Sequence, residues 1–125
     1  MNDISNRTDL DFLIREFYGK SLKDEVIGHF FTEVIELDME KHIPIITDFW
    51  ESVLLDKMVY RRNVMLKHIE LNRLSPLTRI HFDRWIIHWE ETIQQHFEGK
   101  IADEAIKRAH LMRDLMLFKI EKVAT

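Results

Sequence analysis

The sequence predicts an all-α fold, and two observations predict it. Three glycines and two prolines in 125 residues are too few to turn a many-stranded sheet. Apolar residues recur at helical spacing along nearly all of the chain. The length suits one compact domain over residues 1–125, without room for a second catalytic or signalling domain. An apolar share of 46% lies well above that of a disordered chain, so a packed core is expected.

Leu10, Leu13, Ile14, Phe17 and Tyr18 follow i, i+3, i+4, i+7 and i+8, one face of a first helix with Thr8 or Asp9 as its N-cap. Val26, Ile27, Phe30, Phe31, Val34 and Ile35 form a second stripe. Ile46, Phe49, Trp50, Val53 and Leu54 form a third, with Asp38 as N-cap and Glu40 in a first turn that favours negative charge. Pro44 leaves two expectations open. A helix starting near Met39 loses a backbone bond there and bends beside His42, whereas one starting near Ile43 carries Pro44 in its first turn at little cost.

Periodicity fails between Asp56 and Ser75, although Met58, Tyr60, Val64, Met65, Leu66, Ile69 and Leu71 argue for a packed segment. Ser75-Pro76 predicts an N-cap and a first helical proline. The next stripe, Phe82, Trp85, Ile86, Trp89, Ile93 and Phe97, stops at Gly99. A last helix, from about Ile101 to Lys122, is apolar on more than one face around Leu111–Phe118.

Composition excludes several classes of function. The net charge of −4, with acids and bases interspersed, gives no footprint for nucleic acid. No apolar run approaches the roughly 18–20 residues of a membrane span, and Met1-Asn2-Asp3-Ile4 lacks a signal-peptide pattern, so a cytoplasmic protein is expected. The absence of cysteine excludes disulfides, iron–sulfur clusters, thiolate-ligated haem and Cys-x-x-Cys-His attachment.

Four residues carry the chemistry. His68 sits in Met65-Leu66-Lys67-His68-Ile69-Glu70-Leu71, and His42 in the apolar stretch Lys41-His42-Ile43-Pro44-Ile45-Ile46-Thr47-Asp48-Phe49-Trp50. Tyr18 ends the first stripe and Trp85 lies on the fourth. Taken singly, each has a plain reading: a solvated or boundary histidine, or a core aromatic. Together they give one histidine to hold an iron, with an imidazole, a phenol and an indole to meet what binds opposite. Seven histidines also suggest a non-haem metal bundle, but no Glu-x-x-His, His-x-x-x-His or His-Glu-x-x-His occurs. A helical interaction module that has lost haem is a blander alternative.

From about Leu10 to about Phe118 the chain resembles the truncated globins, and among them the third group. Helix B of that group ends in Phe-Tyr, as Phe17-Tyr18 does here. Its helix E carries a histidine followed by Phe-Trp, like His42 and Phe49-Trp50, and its short F region reads like Leu66-Lys67-His68-Ile69. The Gly-Gly motifs of the other groups are missing. The resemblance implies a shortened helical sandwich around a non-covalent haem b, with His68 on the iron and Tyr18, His42 and Trp85 on the opposite, distal side. It implies walls drawn from Phe30, Phe31, Phe49, Trp50, Val53, Met58, Met65, Ile69 and Trp85. Tyr60, Arg61, Arg62 and Lys67 are its candidates for the propionates. Here the chain departs from the group: Tyr60-Arg61-Arg62-Asn63-Val64 stands where members tend to read Tyr-x-Gly-Asn-Pro, so the turn before His68 and the propionate contacts differ.

The implied activity is reversible binding of dioxygen and other diatomic gases at a five-coordinate iron. Distal donors would stabilise partially negative dioxygen by roughly 1–3 kcal/mol for each good bond in a dry site, slowing its release. Slow release suits redox turnover of nitric oxide or peroxide with an external reductase. Sensing or storage is the alternative. His42 is expected either to donate to the ligand or to take the sixth iron position itself.

Overall fold

The computed structural model describes residues 1–34, 38–56 and 64–124, with the backbone alone at 64–66 and 123–124. Helix α1 spans Arg7–Ser21 and buries the predicted face, with Leu10, Leu13 and Ile14 fully enclosed. Each such side chain contributes about 1.5–3 kcal/mol on leaving water. The N-cap is Asn6, not Thr8 or Asp9. Its side-chain oxygen accepts the Asp9 backbone N–H at 2.9 Å, while the Asp9 carboxylate reaches back to Ser5 N at 2.9 Å. Asp9 is therefore inside the first turn, and its carboxylate holds the residue before the cap, accepting both the Ser5 N–H and the Ser5 hydroxyl.

After α1 the chain turns through Leu22–Gly28. A Cβ on Gly28 would lie 2.6 Å from the Leu22 carbonyl oxygen, so only glycine permits this approach. The stripe predicted as a second regular helix ends in a π-helical turn, Phe30–Val34, with Phe30 buried. Periodicity identified the inward residues; it does not report whether the backbone closes by α or π hydrogen bonds.

Helix α2 spans Met39–Leu54, capped by Asp38, whose carboxylate accepts Glu40 N at 3.1 Å. Pro44 thus lies inside the helix, the first of the two expectations, and the Glu40 carbonyl loses its usual partner. Arg7 seats the start of α1 on this helix through Asp48 at 2.7 Å and Glu51 at 3.0 Å. Helix α3, Val64–Leu74, replaces the irregular stretch expected around His68.

Helix α4 spans Arg79–His96 with Thr78 as N-cap, so Ser75 and Pro76 are neither its cap nor its first residue. The cause is Leu77, which is buried in the core and donates its N–H to Asn72 Oδ1 at 2.8 Å, holding the connection extended past Pro76. Gly99, at φ +138°, ends the link to α5, Lys100–Ala124. Asp3 packs against Gly99 and caps α5, accepting Ile101 N at 2.9 Å and Ala102 N at 2.8 Å. The predicted second apolar face of α5 is solvent-facing at Leu111, Leu115 and Phe118.

Helix α1 packs on α2 and α4, and α5 packs on α4, α3 and α2. Buried residues form two clusters: one around Leu10, Leu13, Trp50 and Trp89, the other around Ile27, Phe30, Leu77, Phe82 and Met116. Trp85 and Met112 touch both. Among the described residues no helix is long and apolar enough to cross a membrane.

Candidate functional site

The seam between the two clusters is not filled. A cleft there is walled by Phe17, Tyr18, Trp50 and Trp89 of the first cluster and Ile27, Phe30, Leu77, Phe82 and Met116 of the second. It holds about 880 Å³ of atom-free space counting its open mouth, in which the centre of a water molecule can range over about 120 Å³. Its polar members are few: Tyr18, His68 and His81, with the indole of Trp85. An apolar slot with a few convergent polar groups is the usual form of a cofactor site.

Tyr18 ends the inward face of α1, and His42 reaches it from the first turns of α2. The hydroxyl and His42 Nε2 are 2.7 Å apart and the rings stand nearly edge to face. Burial pushes the Tyr18 phenol well above its usual range, so it keeps its proton. Burial, and then the charge of His68, push His42 down to about 4. The pair is therefore neutral at pH 7. With the His42 proton at Nδ1, the Tyr18 O–H donates to Nε2. With it at Nε2, the imidazole donates to the phenolic oxygen and leaves the Tyr18 O–H to donate into the cleft.

This pair gives the folded chain a pH dependence of fixed sign. Unfolded His42 takes up a proton near pH 6.5, whereas the folded form resists it down to about 4, so acidification across that window favours unfolding. Urea midpoints are expected to fall from pH 6.5 to 4, with a shallower fall in His42→Leu. Parallel pH profiles for the two proteins would contradict this.

His68 enters the wall from α3, its ring centroid 6.2 Å from that of Phe82. Trp85 enters from α4 and meets Phe17 edge to face at 6.3 Å. Its position is fixed by its neighbour Arg84, which with His88 grips the buried Asp24 carboxylate at 2.7 and 2.5 Å. Burial alone would raise the Asp24 pKa, but His88, Arg84 and the Val26 and Ile27 N–H groups hold it far below the usual carboxylate range. The cluster ties the turn after α1 to α4.

Of the residues expected at the site, Tyr18, Phe30, Phe31, Phe49, Trp50, His68 and Trp85 line this one cleft. His42 does not; it stands behind Tyr18, bonded to it. Val53 packs against the first cluster and Ile69 against the second, and neither lines the cleft. Lys67 is exposed, 3.9 Å from Glu70. Met58, Tyr60, Arg61 and Arg62 lie outside the described residues, as does the side chain of Met65. Sequence reasoning left out ten lining residues, among them Phe17, His81, Phe82, Met112, Met116 and Trp89, a residue of the buried core that also lines the cleft. His81 stands one turn before Trp85, and Met112 and Met116 are four apart, so helical spacing carried that signal.

The donor set fits a flat apolar group with a central metal. Aromatic rings supply the walls, α3 supplies an imidazole nitrogen, and α1 supplies a phenol whose ring nitrogen partner fixes its orientation. Among the described residues no three His, Asp or Glu side chains gather into a metal-ligand set of their own.

No protein-family model matches the chain. It is similar to the group 3 truncated hemoglobin of Campylobacter jejuni, 24% identical over 110 residues that cover 86% of this chain and 84% of that one. The crystal structure of the group III truncated hemoglobin from Campylobacter jejuni superposes with a TM-score of 0.84 at 23% identity, covering 96% of this chain and 95% of that one. The 2/2 hemoglobin from Synechococcus sp. PCC 7002, solved in the cyanomet state with covalently attached heme, gives a TM-score of 0.80 at 23% identity over 92% and 94% of the two chains.

Proposed function

From the truncated-globin fold that this chain has, we propose that it is a haem-binding globin for dioxygen and other diatomic gases. One observation carries the reading: a single apolar cleft gathers His68 from α3, Tyr18 from α1 and Trp85 from α4. His68 is the iron ligand, through one neutral ring nitrogen. Tyr18, steadied by His42, and the Trp85 indole would supply hydrogen-bond donors to a ligand on that iron. Phe30, Phe31, Phe49 and Trp50 exclude water from between them. The haem is b-type and non-covalent, held by this bond and by packing.

A bound haem iron would supply the gas-binding position and pass on the electrons that a reductase delivers to it. Everything else falls to the chain: Tyr18 and Trp85 place hydrogen-bond donors where a ligand acquires negative charge, and the aromatic walls keep the site dry enough for those bonds to count. Such donors slow the release of dioxygen, which favours turnover of nitric oxide or peroxide, with an external reductase, over bulk transport.

All three tryptophans of the chain, Trp50, Trp85 and Trp89, line the cleft. Titration with haemin should therefore quench nearly all tryptophan emission and saturate at one haem per chain. Unaltered emission, or quenching that rises without saturation, would reject the proposal.

A further inference from the structure

Two imidazoles at the edge of the cleft have no part in the reading above. His81, in the first turn of α4, lines the cleft, and its Nδ1 accepts the Thr78 backbone N–H at 3.0 Å. Its neutral ring therefore carries its proton at Nε2, a donor. His29 lies across from it, the ring centroids 6.3 Å apart. Phe30 stands beside both rings, 4.2 Å from His29 and 4.9 Å from His81. Phe30 is buried and forms cleft wall, whereas the two imidazoles are partly exposed, so the group marks the boundary between slot and solvent.

Among the described residues no carboxylate of the chain lies against this edge. Two other histidines have carboxylates of the chain against them, His88 with Asp24 and His110 with Glu90. Among the described residues His29 and His81 have none. The N-terminus of α4 adds its own partial positive charge at the same place. Burial, and then the charge of His29, lower the His81 pKa and keep its ring neutral, an Nε2–H donor.

We infer that His29 and His81 form a carboxylate-binding edge of the cleft and hold a propionate of the haem. The inference rests on the proposed function, since it is that cofactor whose carboxylates must emerge at the rim while its ring stays in the slot.

Transfer to a scavenging apo-globin measures how fast haem leaves, and haem dimethyl ester is the same group without free carboxylates. The test compares both forms in the wild type, His29→Glu and His81→Glu. A glutamate at the third position of α4 can still accept the Thr78 N–H, so the cap survives while a negative charge replaces the donor. His29→Glu alters a partly exposed side chain and serves as the second, structurally mild variant. Haem should leave each variant roughly tenfold faster or more, as expected for loss of a charge-assisted bond, with the ester unchanged in all three proteins. Equal acceleration of haem and ester, or acceleration of neither, overturns the inference while leaving the haem-binding proposal standing. A wild type that takes up no haem overturns both.

Discussion

His68→Ala is expected to lower haem retention by more than roughly a hundredfold, since removing even the groups that orient a metal ligand costs about 10–100-fold. The imidazole is only half-buried in the cleft wall beside Phe82, and both hydrophobic clusters keep all their side chains without it. Loss of haem should therefore occur without loss of helix content. The space vacated beside Phe82 matches the ring removed, and millimolar imidazole should restore a histidine-like ferrous spectrum. A His68→Ala protein with the wild-type ferrous spectrum and no added imidazole would remove His68 from the iron.

Tyr18→Phe carries the second large effect. It deletes one hydroxyl at nearly constant volume from a residue that is 7% exposed and packed on Phe17 and Phe31, so what changes is hydrogen bonding. A bond of roughly 1.4 kcal/mol or more is lost to a ligand that carries negative charge, a factor of about ten in the rate of dioxygen release. Carbon monoxide, less polar when bound, should leave at a rate changed much less. The 2.7 Å contact with His42 adds a sharper expectation. If His42 acts by holding the phenol, Tyr18→Phe and His42→Leu remove the same contribution, and their effects on dioxygen release will not add. Equal acceleration of both gases in Tyr18→Phe would mean that the ring governs access and not polarity.

Much of this site was legible in the stripes. Leu10, Leu13, Ile14, Phe17 and Tyr18 share one face by spacing alone, and that face is the buried one. The cap of α1 was misplaced because Asp9 is a plausible cap in isolation. The pattern that decides it is Asn6 paired with Asp9 three residues on. Helix α3 was illegible for a different reason. Its His68, Ile69 and Leu71 are only half-buried and Leu74 is exposed, so the helix faces the cleft and solvent together and shows no clean stripe. A helix built around an open slot loses the periodicity that a filled core imposes. The contact of His42 with Tyr18 was not legible, because spacing gives the face of a helix and not the depth at which a side chain stops. His81 shares the side of α4 that carries Trp85, but spacing alone does not separate a histidine that lines a cleft from one that faces water.

The central claim is that one histidine, His68, holds the iron and that the other side stays open under Tyr18. The ferrous, ligand-free absorption spectrum of the haem-loaded wild type tests it most directly. A five-coordinate high-spin spectrum with one broad visible band is predicted, since the His42 nitrogen nearest the cleft is already bonded to Tyr18. A six-coordinate low-spin spectrum with two imidazoles, reverting to high spin in His42→Leu, would contradict it.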